Sequence, residues 1–221
     1  MFEGKYGKTV IAVLGIVIVI VIGALIFFTV DFIKNSNINN ELQDGADRFE
    51  GEVNKKENTQ ANEEEVVELN IQIENITSNN SNSNSNSEET YKGYPMVGTI
   101  EIPKIDLKCP VLEEASKGAI EVAVGIESGP GLNRVGNTVI VGHNYRNGTF
   151  FSNNKNLENG DKIYITDKTG TRLEYTIYNI YVTTPEDSDY MEKDTQGKRE
   201  VTLKTCTDDT QSRLIICATA D

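Results

Sequence analysis

The sequence predicts a mainly β protein: a closed or nearly closed mixed barrel with one or two short helices, carried on a transmembrane helix and a disordered stalk. Three observations predict this. Residues 9–30 run for 22 positions without a charge. Residues 31–92 are acidic, poor in aromatics and rich in Asn and Ser. From 93 to 221, short runs rich in Val, Ile, Thr and Tyr recur between Gly, Asn, Asp and Pro, the punctuation of strands and turns.

As a helix, the run TVIAVLGIVIVIVIGALIFFTV at 9–30 is about 33 Å long, slightly more than the hydrocarbon thickness of a bilayer. It is longer than the apolar core of a cleaved signal peptide, and no A-x-A-like site follows it. An uncleaved anchor is therefore expected. Lys5 and Lys8 precede the run, whereas Asp31 and Lys34 follow it. That bias puts residues 1–8 in the cytoplasm and everything after residue 30 outside the cell, on a single-pass protein of the cell membrane.

The 221-residue chain carries a formal net charge of −13, and residues 31–90 alone contribute −10. Nowhere is it basic enough for a nucleic-acid footprint, so no nucleic-acid partner is expected. The stalk ends in NNSNSNSNSEE at 79–89, a composition that buries too little apolar surface to offset chain entropy. Treated as a flexible coil it has an end-to-end distance of about 40–46 Å. Within it, EEEVVELNIQIENI at 63–76 reads equally as a short helix or a strand.

In the third segment, strands are expected at 97–102, 106–112, 137–142, 161–166, 172–183, 200–206 and 213–219. Helical signal is limited to about 116–124 and 150–157. Strands and helices do not alternate regularly, which argues against a doubly wound sheet.

Chemistry-bearing residues are few. Three cysteines without a CxxC pair and a single histidine exclude zinc ribbons and disulfide scaffolds, and neither a cofactor nor a metal is expected. The scattered acids Asp187, Asp189 and Glu192 carry no argument for a calcium site. Cys109 in DLKCPVL and Cys217 in RLIICAT are flanked by apolar residues and read as small buried hydrophobes, with a disulfide between them as the alternative. Cys206 ends the run VTLKTC and precedes the polar turn TDDTQS, which places its sulfur at a barrel rim. A thiol nucleophile needs a proton carrier and compensation for the charge of a tetrahedral intermediate. His143, at the strand end in TVIVGHNYRNG, can move the proton; Arg213, seven residues after Cys206, can supply the fixed cation.

These residues resemble the sortase family, the membrane-anchored cysteine transpeptidases of Gram-positive bacteria with an eight-stranded barrel. TLKTC at 202–206 matches the family's TLxTC signature, VGH at 141–143 its upstream histidine, and Arg213 its downstream arginine. The opening VGTIEIPKIDLKCPVLE at 97–113 is similar to the family's barrel entry. The resemblance implies a catalytic set of His143, Cys206 and Arg213, with Leu203 and Thr205 of the motif contributing to substrate binding. It also implies a mechanism. The Cys206 thiolate attacks the Thr carbonyl of an LPxTG-like sorting signal, His143 protonates the departing Gly amine, and a peptidoglycan-precursor amine resolves the thioester. Features of class B and class C are not seen in this sequence, and the short 207–212 turn leans toward a class D-like enzyme, with class A next. The domain expectation is thus 1–8 cytoplasmic, 9–30 transmembrane, 31–92 stalk and 93–221 catalytic barrel. Two rival readings are a membrane-anchored cysteine peptidase or amidase that resolves the thioester with water, and a non-enzymatic stalked surface-binding protein.

Overall fold

A computed structural model describes residues 5–69 and 89–220 of the chain. The segment 70–88, which holds most of the Asn/Ser run and the second half of 63–76, lies outside the described residues. Two units are present, residues 1–38 and residues 39–221.

A single helix, α1, runs from Lys5 to Leu69. Within the first unit, every side chain from Val10 to Lys34 is exposed. This stretch reaches a mean hydropathy of 3.4 and is long and apolar enough to cross a membrane. Apolar side chains on all faces of a helix need an apolar solvent.

The expected disordered stalk differs from the structure, because residues 31–69 are helical. The reason lies in the second unit, where Leu42, Ala46, Phe49 and Val53 are all buried. Spaced at i, i+4, i+7 and i+11, they form one stripe of the helix. Polar contacts flank the stripe. Lys108 Nζ lies 2.6 Å from Asp47 Oδ1 and 2.8 Å from Glu50 Oε2. Thr99 donates to Glu50 Oε1 at 2.7 Å, and Lys92 pairs with Glu41 at 2.6 Å.

The barrel strands follow. β1 (Thr90–Tyr91) pairs only with the start of β2 (Tyr94–Ile102). Then come β3 (Leu107–Leu112), β4 (Val124–Ser128), β5 (Gly136–Val141), β6 (Lys162–Asp167), β7 (Arg172–Thr183), β8 (Arg199–Cys206) and β9 (Arg213–Ala220). Their order is β2-β3-β4-β5-β8-β9-β7-β6, and pairing of β2 with β6 closes the ring into an eight-stranded barrel. β3–β4 and β5–β8 are parallel, and the remaining neighbours are antiparallel. Closure requires a glycine in β2. A Cβ on Gly98 would lie 2.2 Å from the Thr166 carbonyl oxygen on β6, so only a residue without a side chain lets the two backbones meet.

The seven strands read from the sequence all form. β4 is the eighth, and it is joined to β3 through only two residue pairs, Val111↔Val124 and Leu112↔Gly125. The helix expected at 116–124 is instead a run of tight turns, closed by Ile120 N–H to Ser116 O and Ala123 N–H to Ala119 O. Only the short 3-10 turn Asn154–Asn156 forms within 150–157. Ile100, Ile102, Val111, Ile140, Ile163, Ile165, Leu203 and Ile216 fill the barrel interior.

Candidate active site

His143, Cys206 and Arg213 come from three neighbouring strands at one end of the barrel. Parallel pairing of β5 with β8 sets Val141 opposite Lys204, and Gly142 N–H donates to Lys204 O at 3.2 Å. Two residues further along each strand stand His143 and Cys206. Antiparallel pairing of β8 with β9 sets Cys206 directly opposite Arg213. Opposed residues of an antiparallel pair project from the same face, about 4.5–5.5 Å apart at Cβ. The sequence separations of 63 and 7 residues thus collapse into one cluster because of strand order.

Hydrogen bonds fix this end of the barrel. Thr205 donates its hydroxyl to Gly142 O at 2.8 Å, just before His143. Asn144, just after it, donates from Nδ2 to Cys206 O and to Asp208 Oδ1, both at 3.0 Å. Asp208 also accepts from Lys155 at 2.6 Å, and its carbonyl accepts from Arg146 at 3.0 Å. The bonds from Lys155 and Asn144 hold the Asp208 carboxyl below its ordinary value. The loop after His143 and the turn after Cys206 are therefore tied together at four points. Within that loop, Arg146 and Phe150 adopt left-handed backbone at φ 58° and 49°, a strained geometry that persists where surrounding contacts over-determine it.

The thiols separate as the sequence implied. All three cysteines are free, so the Cys109–Cys217 disulfide alternative is not formed. Burial pushes the Cys109 thiol up to about 12, which makes it inert as a nucleophile. Cys217 is buried in the core as well, whereas Cys206 is half-buried. The Arg213 guanidinium donates to Ser212 O at 3.1 Å and has no carboxylate partner among the described residues. Its charge is available to an incoming group.

Leu203 and Thr205, the two motif residues expected to contribute to substrate binding, both point into the barrel. Leu203 is fully buried in the barrel, and Thr205 is 2% exposed with its hydroxyl committed to Gly142. The alternation of β8 explains this, since both face inward while Lys204 and Cys206 are half-buried on the other side. They form the wall beneath the site.

Sequence reasoning did not single out Glu121, Tyr145, Asn144 or Asp208. Glu121 Oε1 lies 3.4 Å from His143 Nε2, and Glu121 Oε2 accepts the Tyr145 hydroxyl at 2.5 Å. The Tyr145 ring lies against the imidazole, centroids 4.9 Å apart. No sequence signal marks Glu121, but Asn144 and Tyr145 adjoin the only histidine and were open to suspicion on that ground. No group of three or more His, Cys, Asp or Glu side chains suited to a metal ion occurs among the described residues.

Comparison with known proteins decides the family. A Sortase domain model matches residues 100–221, more than half of the chain. The chain belongs to the sortase family. It is 33% identical over 113 residues to Sortase A of Bacillus anthracis, a match covering 50% of this chain and 52% of that protein. Among solved structures, Sortase A of Corynebacterium diphtheriae (a lid mutant) aligns at 31% identity with a TM-score of 0.53 over 58% of this chain and 71% of the other. The Clostridium perfringens Sortase D5 transpeptidase aligns at 30% identity with a TM-score of 0.53, covering 57% of this chain and 79% of the other. The chain spans about half the length of the curated relatives it matches.

Proposed function

We propose that this sortase-family chain is a cysteine transpeptidase that cleaves an LPxTG-like sorting signal between Thr and Gly and transfers the new carboxyl terminus to a cell-wall amine. The observation that carries the reading is the pairing of Cys206 with Arg213 across β8 and β9, beside His143 at the end of β5. Cys206 thiolate attacks the Thr carbonyl carbon, and the Arg213 guanidinium opposes the charge that develops on the carbonyl oxygen. The His143 imidazolium gives its proton to the departing Gly amine, leaving a thioester on Cys206. The incoming amine attacks that thioester, neutral His143 takes up its proton, and an amide bond replaces the thioester. Each proton and bond is accounted for without a metal or cofactor.

Among sortase classes we read the chain as class D-like, with class A next; the short 207–212 turn supports this. The apolar part of α1 anchors the enzyme, with Lys5 and Lys8 on the cytoplasmic side and the barrel outside. The partners are then secreted proteins bearing the sorting signal and a peptidoglycan-precursor amine.

The test is cleavage of a quenched-fluorescent LPxTG-like peptide by the full-length chain in detergent micelles, with and without an oligoglycine or diamino acid amine. Formation of an amine-ligated product supports transfer. Release of the free acid alone in the presence of amine would instead make the chain a thiol peptidase.

A further inference from the structure

The carboxylate of Glu121 belongs to neither the TLKTC motif nor the strands that carry the catalytic set; it comes from the turns between β3 and β4. Three observations place it in the chemistry of His143. One oxygen lies 3.4 Å from His143 Nε2, an ion-pair distance without hydrogen-bond alignment. Nε2 is itself shielded from solvent and has no aligned hydrogen-bond partner, so a proton there faces the Glu121 carboxylate rather than water. The other oxygen accepts the Tyr145 hydroxyl at 2.5 Å, and the Tyr145 ring lies against the imidazole at 4.9 Å and 32°. Tyr145 is in turn held by an edge contact with Phe150 at 5.8 Å and by its N–H on Ser152 Oγ at 3.1 Å.

We propose that Glu121, tethered by Tyr145, is a positioning residue that orients the His143 imidazole. The catalytic consequence rests on the acyl-transfer reading above; the orienting contact does not. The groups around His143 are Glu121 from the turn segment, Tyr145 from its own loop, Cys206 from β8 and Arg213 from β9. Lys117 lies near Glu121 and tempers its charge. Of these, Glu121 is the only permanent anion at neutral pH. Its carboxyl is held below its ordinary value, first by the hydrogen bond from Tyr145 and also by the charge of His143. Tyr145 stays protonated and keeps donating, because burial and the Glu121 contact push its hydroxyl up to about 12.

His143 is the only histidine in the chain, so a full-length sample in micelles, labelled with carbon-13 at histidine, gives one imidazole signal. At a fixed pH, Glu121→Gln and Tyr145→Phe should each displace and broaden that signal, because each releases the ring from the contact that holds it. Glu174→Gln removes one carboxylate from the start of β7, nine residues before Thr183, which pairs with Arg213; it should leave the signal unchanged. In steady-state kinetics Glu121→Gln should lower kcat about 10-fold or more with KM little changed, and Glu121→Asp should restore part of the loss. A Glu121→Gln signal that matches that of Glu174→Gln overturns the inference, even if the peptide is still cleaved. A displaced signal in a chain that cleaves no sorting peptide would leave the inference standing and remove the proposed function instead.

Discussion

A methyl group at position 142 would lie 2.8 Å from Val124 Cγ1 and 2.9 Å from Phe151 Cδ2. Gly142 therefore lets the chain pass tightly between two core side chains and deliver His143 to the end of β5. Gly142→Ala should cost about 1–3 kcal/mol by overpacking and lower kcat by about 10²-fold through displacement of His143. Steady-state kinetics beside thermal unfolding check this; a folded variant with parental kcat would show that the close packing does not set His143. The thiols give a second residue-scale prediction. An alkylating reagent should modify Cys206 in the native chain while leaving Cys109 untouched until unfolding, since burial pushes the latter's thiol up to about 12. Peptide mapping after timed alkylation reads this directly, and early labelling of Cys109 would contradict it. Cys206, His143 and Arg213 were legible in the sequence because reactive residue types are scarce there and their motif spacing is narrow. Glu121 and Asp208 were not. Their contacts with Tyr145 and Asn144 cross 24 and 64 residues, and acids are too common in this chain for any one to stand out.

At the scale of elements, the decisive piece is the part of α1 that packs on the barrel. Leu42, Ala46, Phe49 and Val53 repeat at helical spacing, yet composition read across 31–92 averages that stripe into a polar background. Composition reports what a segment can bury alone, and this helix buries its stripe against strands that follow it in sequence. Phe49 is 2% exposed, and Phe49→Ala should destabilise the chain by about 3–5 kcal/mol. Urea unfolding of the parent and variant measures it; a cost under about 1 kcal/mol would mean that the helix adds little to the barrel. Glu50 makes the same contact pH-sensitive. Burial alone would raise its carboxyl, but hydrogen bonds from Lys108 and Thr99 and the charges of Lys108 and Arg172 hold it below the ordinary 4.5. A carboxyl lowered in the folded state stabilises at pH above its unfolded value and loses that contribution as pH falls through the folded one. The Tm gap between the parent and Glu50→Gln should therefore be full at neutral pH and close below about pH 4.5. A gap that widens on acidification would reverse the assignment.

For the whole molecule, strand order does what no local signal could announce. Alternating Val, Ile, Thr and Tyr marked seven strands, and β7 at Arg172–Thr183 coincides with the expected 172–183. β4 escaped because VGIES is short and follows a run that reads as helix. Without it, β3 and β5 have no bridge and the barrel does not close. The parallel neighbours β5 and β8, separated by more than 50 residues of chain, are a tertiary fact, and they are what set His143 beside Cys206. Closure of β2 on β6 then makes this end a rigid rim rather than the frayed edge of an open sheet. A rigid rim suits the function proposed above, in which a thioester is held while one amine leaves and another arrives. The most direct measurement is the intact mass of the full-length chain after brief mixing with an LPxTG-like peptide and acid quench. The account predicts an added mass equal to the peptide up to its Thr, mapped to Cys206, removed by hydroxylamine and not formed by Cys206→Ala. Peptide cleavage by Cys206→Ala at the parental rate, or an adduct mapped to Cys109 or Cys217, would contradict it.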